Sequence, residues 1–144
     1  MTSAQPERTT GVILGETGLQ RLVGWRTDVG QPDGRARLTL DIGPQHTNRH
    51  GVLHGGVIAM MLDSACGYTG SRHLDPENLT PMMTLSYTTQ FLAPVRSGRV
   101  TATGTVTGGR RTLFISGELH DDTGQLIATS TGVYRPVSNE RNPK

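Results

Sequence analysis

Cysteine occurs once, at position 66, so no internal disulfide can staple this 144-residue chain. Aromatic residues make up 4% of it, too few for the stacking platforms that hold single-stranded nucleic acid. Lysine appears once, at position 144, and arginine carries the rest of the positive charge. The net charge of +2 is too small for a nucleic-acid footprint but suits an anionic small ligand. The longest apolar run, Val57 to Leu62, has six residues. No segment therefore reads as a signal peptide or a membrane span, and the expected location is a reducing cytosol. Asn78-Leu79-Thr80 matches a glycosylation sequon, but without a secretory route the match carries no meaning. Repeats and low-complexity tracts are also missing. The length suits one domain with a modest core, expected over 11–137 between disordered tails at 1–10 and 138–144.

What the chain does have is an unusual stretch from Asn48 to Cys66. It opens polar and glycine-broken, turns at His54-Gly55-Gly56 into the apolar run, and is then interrupted by a single acid, Asp63. The run has no period-two alternation, which predicts a helix from about Gly56 to Ser71, wrapped by other structure because it is apolar on nearly every side. A carboxylate there costs several kcal/mol unless it is hydrogen-bonded or stands at a cleft. Asp63 is therefore either a bonded acid at a wet seam or a nucleophile or general base. The paired glycines supply free N–H groups at the positive end of the helix dipole, with no side chain to block a ligand oxygen, which is the material of an oxyanion hole. Gly55 and Asp63 are eight residues apart, roughly 12 Å along one helix at 1.5 Å per residue. Attack on a carbonyl needs both groups within about 3–3.5 Å of the reacting atoms. Either Asp63 is not catalytic, or the glycine and the acid that meet belong to two copies of the chain.

Elsewhere the pattern is mostly period two. A short helix is possible within 10–20, and 22–29 reads as a strand. Residues 30–34 form a turn cluster. Ala36, Leu38, Leu40 and Ile42 alternate with Arg35, Arg37, Thr39 and Asp41, so the first two strands make a hairpin. Over 82–92, Met83, Leu85, Tyr87 and Phe91 fall on one face and Thr84, Ser86, Thr88 and Gln90 on the other. Strands follow at 99–107, 112–120 and 126–135, the last two joined as a hairpin through Asp121-Asp122-Thr123-Gly124. One long central helix wrapped by a curved antiparallel sheet of about six strands is an α+β architecture.

Other constellations are weaker. His46, His50 and His54 stand four apart, as metal ligands on a helix would, but Pro44, Asn48, Gly51, Gly55 and Gly56 argue against a helix there, and no carboxylate completes the set, so no metal is expected. His54 instead suits the turn that aims the Gly55 N–H, or simple loop packing. Asn48 can orient a water or a carboxylate, or merely make a turn. The chain has no G-x-S-x-G elbow, and Cys66 lies in the apolar helix, which sets aside Ser and Cys nucleophiles. Gly108-Gly109-Arg110-Arg111 is a hairpin turn with solvated charges or a phosphate clamp; Arg49 and Arg96 are lesser candidates. Met60, Met61, Met82 and Met83 are core filling or the lining of an adaptable acyl pocket.

Asn48, His54-Gly55-Gly56 six positions on, and Asp63 followed by Ser-Ala closely resemble the PaaI-like hotdog-fold acyl-CoA thioesterases; the later Phe91-Leu92-Ala93-Pro94-Val95 extends the likeness, which covers about residues 20–135. The resemblance implies hydrolysis of an aryl- or fatty-acyl-CoA with Asp63 of one subunit and the Gly55 amide of the other. It also implies that Asn48 faces that acid across a dimer, that Thr84 helps hold the hydrolytic water, and that basic residues near the hairpin turn contact coenzyme A, making Arg110, Arg111, Gly109 and Ser86 the binding candidates. No cofactor is implied, since coenzyme A is part of the substrate. A homodimer at minimum is implied, and a homotetramer favoured. A hotdog hydratase or dehydratase and a non-catalytic acyl-CoA-binding module are the alternatives.

Overall fold

The computed structural model describes residues 8–9 and 11–137. The rest of the two expected tails lies outside the described residues, while Arg8–Thr9 form a strand, β1, where a tail was expected. Then come β2 (Val12–Ile13), α1 (Gly18–Val23), β3 (Arg26–Asp28), β4 (Arg37–Asp41), α2 (Gly55–Leu74), β5 (Met82–Phe91), β6 (Arg99–Gly109), β7 (Leu113–His120) and β8 (Leu126–Pro136). All strands join one antiparallel sheet of eight, in the order β1-β2-β3-β4-β6-β7-β8-β5. The count exceeds the expected six because β1 and β2, two residues each, extend the β3 edge. None of the described helices is long and apolar enough to cross a membrane.

The region 22–29 is not one strand. Leu22 and Val23 end α1, and the chain turns extended only at Arg26. The signals for this lie in the sequence: the Thr17 hydroxyl accepts from the Gln20 N–H, Gln20 Oε1 accepts back from the Glu16 N–H, and Gly24 stops the helix in the left-handed region at φ 92°.

α2 packs on the inner face of the sheet. Its Ile58, Met61, Leu62 and Ala65 meet Leu38, Leu40, Val100, Ala102, Leu119, Ile127 and Ala128. It also starts one residue earlier and ends three later than the sequence predicts. The helix can sit close because a row of small residues crosses beneath it: Gly104 pairs with Gly117, Gly117 with Ser130, and Ser130 with Thr89. A Cβ on Gly104 would lie 2.9 Å from Ala65 O and 3.0 Å from Cys66 Cα. Close approach is then locked by Thr69, whose hydroxyl donates to Ala65 O (2.8 Å) and accepts from the Ala36 N–H (3.0 Å).

β5 is one edge of the sheet formed by the described residues. A bulge between Thr84 and Ser86 shifts its phase. Thr84 pairs with Tyr134, Tyr87 with Gly132, Thr89 with Ser130 and Phe91 with Ala128, so Thr84, Tyr87, Thr89 and Phe91 share the helix-facing side. The even alternation read over 82–92 is therefore broken by the extra residue, and Ser86 goes to the outer face with Thr88 and Gln90. Leu85, Tyr87, Phe91 and Leu92 are all exposed on this edge.

Candidate active site

The loop before α2 is held by its own polar groups. His46 is buried; its Nδ1 accepts from the Gly43 N–H (2.9 Å) and its Nε2 meets Val23 O at 2.7 Å. These two bonds fix the Nε2–H tautomer and give the ring a structural task. Asn48 makes a turn: its Oδ1 accepts from the His50 N–H (2.9 Å) and from the Val52 N–H (3.4 Å). Arg96 donates to His50 O (2.8 Å) and the Leu53 N–H to Val95 O (2.7 Å), tying the loop to the chain after β5.

His54 is the N-cap of α2. Its Nδ1 accepts from the Gly56 N–H at 2.8 Å, and its carbonyl accepts from the Val57 N–H (2.9 Å) and the Ile58 N–H (3.2 Å). That uses three of the first four donors of the helix. The fourth, the Gly55 N–H, has no acceptor among the described residues. Gly55 lines a cavity of about 300 Å³ with Leu53, Ile58, Phe91 and Pro94. A Cβ on Gly55 would stand 3.3 Å from the Phe91 ring, so glycine here keeps the amide open between the ring and the helix end.

Asp63 lies on α2 beyond that end and is half-buried. Thr84 donates to its Oδ1 at 2.7 Å, and the Tyr134 hydroxyl donates to the same oxygen at 3.3 Å. Oδ2 has no hydrogen-bond partner among the described residues. The carboxylate forms part of the wall of a cavity of about 350 Å³ together with Ser64, Tyr68, Ser71, Met82 and Thr84. Burial, then the Asp63 charge, pushes the Tyr87 phenol above its ordinary range. Burial does the same to Tyr134, far more strongly, so that phenol stays a neutral donor. Burial also pushes the Cys66 thiol up to about 11, which leaves it protonated and inert. One carboxylate oxygen of Asp63 is thus bonded, the other is unbonded among the described residues, and the residue stands on the wall of a cavity.

The structure joins Asp63 to Thr84 directly, but Asp63 and Gly55 line different cavities and stand eight helical steps, roughly 12 Å, apart. Arg110 and Arg111 are exposed in the β6–β7 turn, where Gly109 adopts φ 92° and a Cβ would meet Thr112 O at 2.0 Å. The register Gly109–Leu113–Tyr134–Thr84 runs from this turn straight across the sheet to the acid, about 14 Å over three strand spacings. Ser86 departs from expectation; the bulge puts it on the outer face, beside Thr107, Phe114 and Thr131. Met61 is core, Met60 packs against it, Met82 lines the Asp63 cavity and Met83 is exposed. Tyr134 was missed: it is 71 residues from Asp63, and no spacing connects the two.

The family model described as Thioesterase superfamily matches residues 50–128. The medium/long-chain acyl-CoA thioesterase YigI of Salmonella typhimurium is 34% identical over 95 residues, which is 58% of this chain and 61% of that protein; the chain thus spans less than two thirds of YigI. The E. coli PaaI protein from the phenylacetic acid degradation operon superposes with a TM-score of 0.72 at 21% identity, covering 85% of this chain and 86% of its own. The BH2602 protein of Bacillus halodurans, solved with CoA, gives a TM-score of 0.69 at 25% identity over 84% of this chain and 76% of its own. The chain belongs to the thioesterase superfamily, and its fold is the hotdog fold of PaaI.

Proposed function

We propose that the protein hydrolyses an acyl-CoA thioester to the free acid and coenzyme A. The observation that carries this is the half-anchored Asp63, bonded through Oδ1, unbonded at Oδ2 and standing on the wall of a cavity. Thr84 spends its proton on Asp63 and so presents lone pairs to a water. A water bonded to Thr84 Oγ1 and Asp63 Oδ2 directs its own lone pair outward. Asp63 takes a proton as the water oxygen adds to the thioester carbon; the carbonyl electron pair moves to oxygen and is met by an amide N–H. Collapse re-forms the C=O bond, breaks the C–S bond and returns the proton to the sulfur of the leaving coenzyme A.

That amide is the Gly55 N–H of a second copy, since one chain holds the two groups too far apart. β5, an edge strand among the described residues with Leu85, Tyr87, Phe91 and Leu92 exposed, gives such a copy an apolar strand to cover. His54 caps the helix so that Gly56 is engaged and Gly55 is left to the substrate. Asn48 holds the loop in front of it, with its Nδ2 toward neither turn bond. Arg110 and Arg111, over Gly109, supply charge for the coenzyme A phosphates. The relatives support an acyl-CoA substrate: YigI bears that activity in its name, and BH2602 was solved with CoA. Asp63→Asn keeps the Thr84 bond possible but removes the base, and kcat falls by about 10³, within the usual range for a lost general base. Near-native turnover by purified, folded Asp63→Asn would refute the mechanism.

A further inference from the structure

Asp63 Oδ1 takes two hydrogen bonds, and the one from Tyr134 has no part in the chemistry set out above. Tyr134 is 1% exposed, packed with Cys66, Leu113 and Ile115 under the C-terminal half of α2. A phenylalanine would fill that volume without burying a polar atom, so a phenol needs a partner to be worth its desolvation. Its acceptor is the carboxylate, at 3.3 Å, with the Cys66 sulfur as a second polar neighbour. The fold makes room for the ring: a Cβ on Gly132 would lie 2.8 Å from Tyr134 Cε2. The β5–β8 register sets Tyr134 directly opposite Thr84, so the two hydroxyls approach one oxygen from adjacent strands.

We infer that Tyr134 is a positioning residue for the hydrolysis: together with Thr84 it anchors Asp63 through Oδ1 and turns Oδ2 into the cavity. The inference rests on Asp63 acting as the base. One donor leaves a carboxylate free to rotate about its last bond; two donors from rigid neighbouring strands at the same oxygen hold its plane. The other groups around the acid do not replace this. Tyr87 faces it from β5 and Cys66 follows it on α2, both neutral; Glu16 carries like charge on the cavity wall, and among the described residues no cation lines that cavity.

The test is Tyr134→Phe, which keeps the ring, assayed on a purified acyl-CoA substrate. Losing one of two donors to a carboxylate should lower kcat about tenfold with KM within about twofold. Replacing Tyr134 alone by 3-fluorotyrosine, a stronger donor of nearly the same size, should keep kcat at the wild-type level or above. Wild-type kcat in Tyr134→Phe overturns the inference. So does a kcat that falls as far in the 3-fluorotyrosine variant, which assigns the phenol to packing alone. Full turnover by Asp63→Asn instead removes the base on which the inference rests, and is read in a different variant.

Discussion

Replacing Gly104 by alanine tests how closely the site-bearing helix is held to the sheet. The new Cβ would stand 2.6 Å from Thr69 Oγ1, 2.9 Å from Ala65 O and 3.0 Å from Cys66 Cα. Ordinary contacts begin near 3.5 Å. Two of the three neighbours are helix backbone, so α2 must retreat by roughly half an ångström rather than swing a side chain aside. Overpacking of this kind costs about 1–3 kcal/mol. The third neighbour, Thr69 Oγ1, accepts from the buried Ala36 N–H, and displacing it leaves that donor unmet for about 1–3 kcal/mol more. For a chain of this length a loss of about 3 kcal/mol lowers Tm by about 10 °C. The retreat also carries Asp63, two residues before Ala65, away from Thr84 and weakens their 2.7 Å bond, so turnover falls even where the protein is folded. The assay is a urea melt at fixed protein concentration, followed by fluorescence of the buried Trp25, with kcat measured on the same samples. Gly67 is the control: it is in the interior of the same helix, and a Cβ there meets nothing within 4 Å. Gly67→Ala should raise stability by up to about 1 kcal/mol. Wild-type midpoint and turnover in Gly104→Ala would refute the packing argument.

Three further outcomes follow from the geometry. Arg110→Ala and Arg111→Ala, exposed and remote from Asp63, should raise KM for a coenzyme A ester severalfold while leaving kcat and Tm unchanged, and added salt should erase part of the difference; an unchanged KM in the double substitution removes the turn from the binding site. Cys66, with its thiol pushed up to about 11 by burial against an ordinary 9.0, should resist a thiol-labelling reagent at pH 9 in the folded protein and react at once in urea. Because the folded thiol keeps its proton where the unfolded one loses it, the stability it contributes is complete below pH 9 and is lost as pH rises toward 11. Cys66→Ala should flatten that part of the curve.

The elements that each carry their own local signal were legible in the sequence. β4, β6, β7 and β8 fall where alternation places them, because each buries one face and solvates the other. α2 was readable from an apolar run with no alternation, and His54-Gly55-Gly56 from the change of composition at its start. α1 carries a signal of its own in Thr17, Gln20 and Gly24, but the apolar Leu22 and Val23 read as the beginning of a strand, and the expected helix stopped at residue 20. Short runs carry too little period to separate the two, and there the capping residues decide.

Tertiary structure alone decided the rest. A bulge has no signature of its own, so nothing in 82–92 foretells that Thr84 joins Tyr87 and Phe91 on the helix side while Ser86 leaves it. The sequence could mark Asp63 as anomalous and rule out its meeting Gly55 on one helix, since helical rise is a local constant. It could not say which groups make the acid tolerable. Those are Thr84, 21 residues away, and Tyr134, 71 away, brought to one oxygen only because β5 and β8 pair in a single register over the same helix. Local periodicity records which face of an element is buried; it holds no information on which distant polar atom waits there.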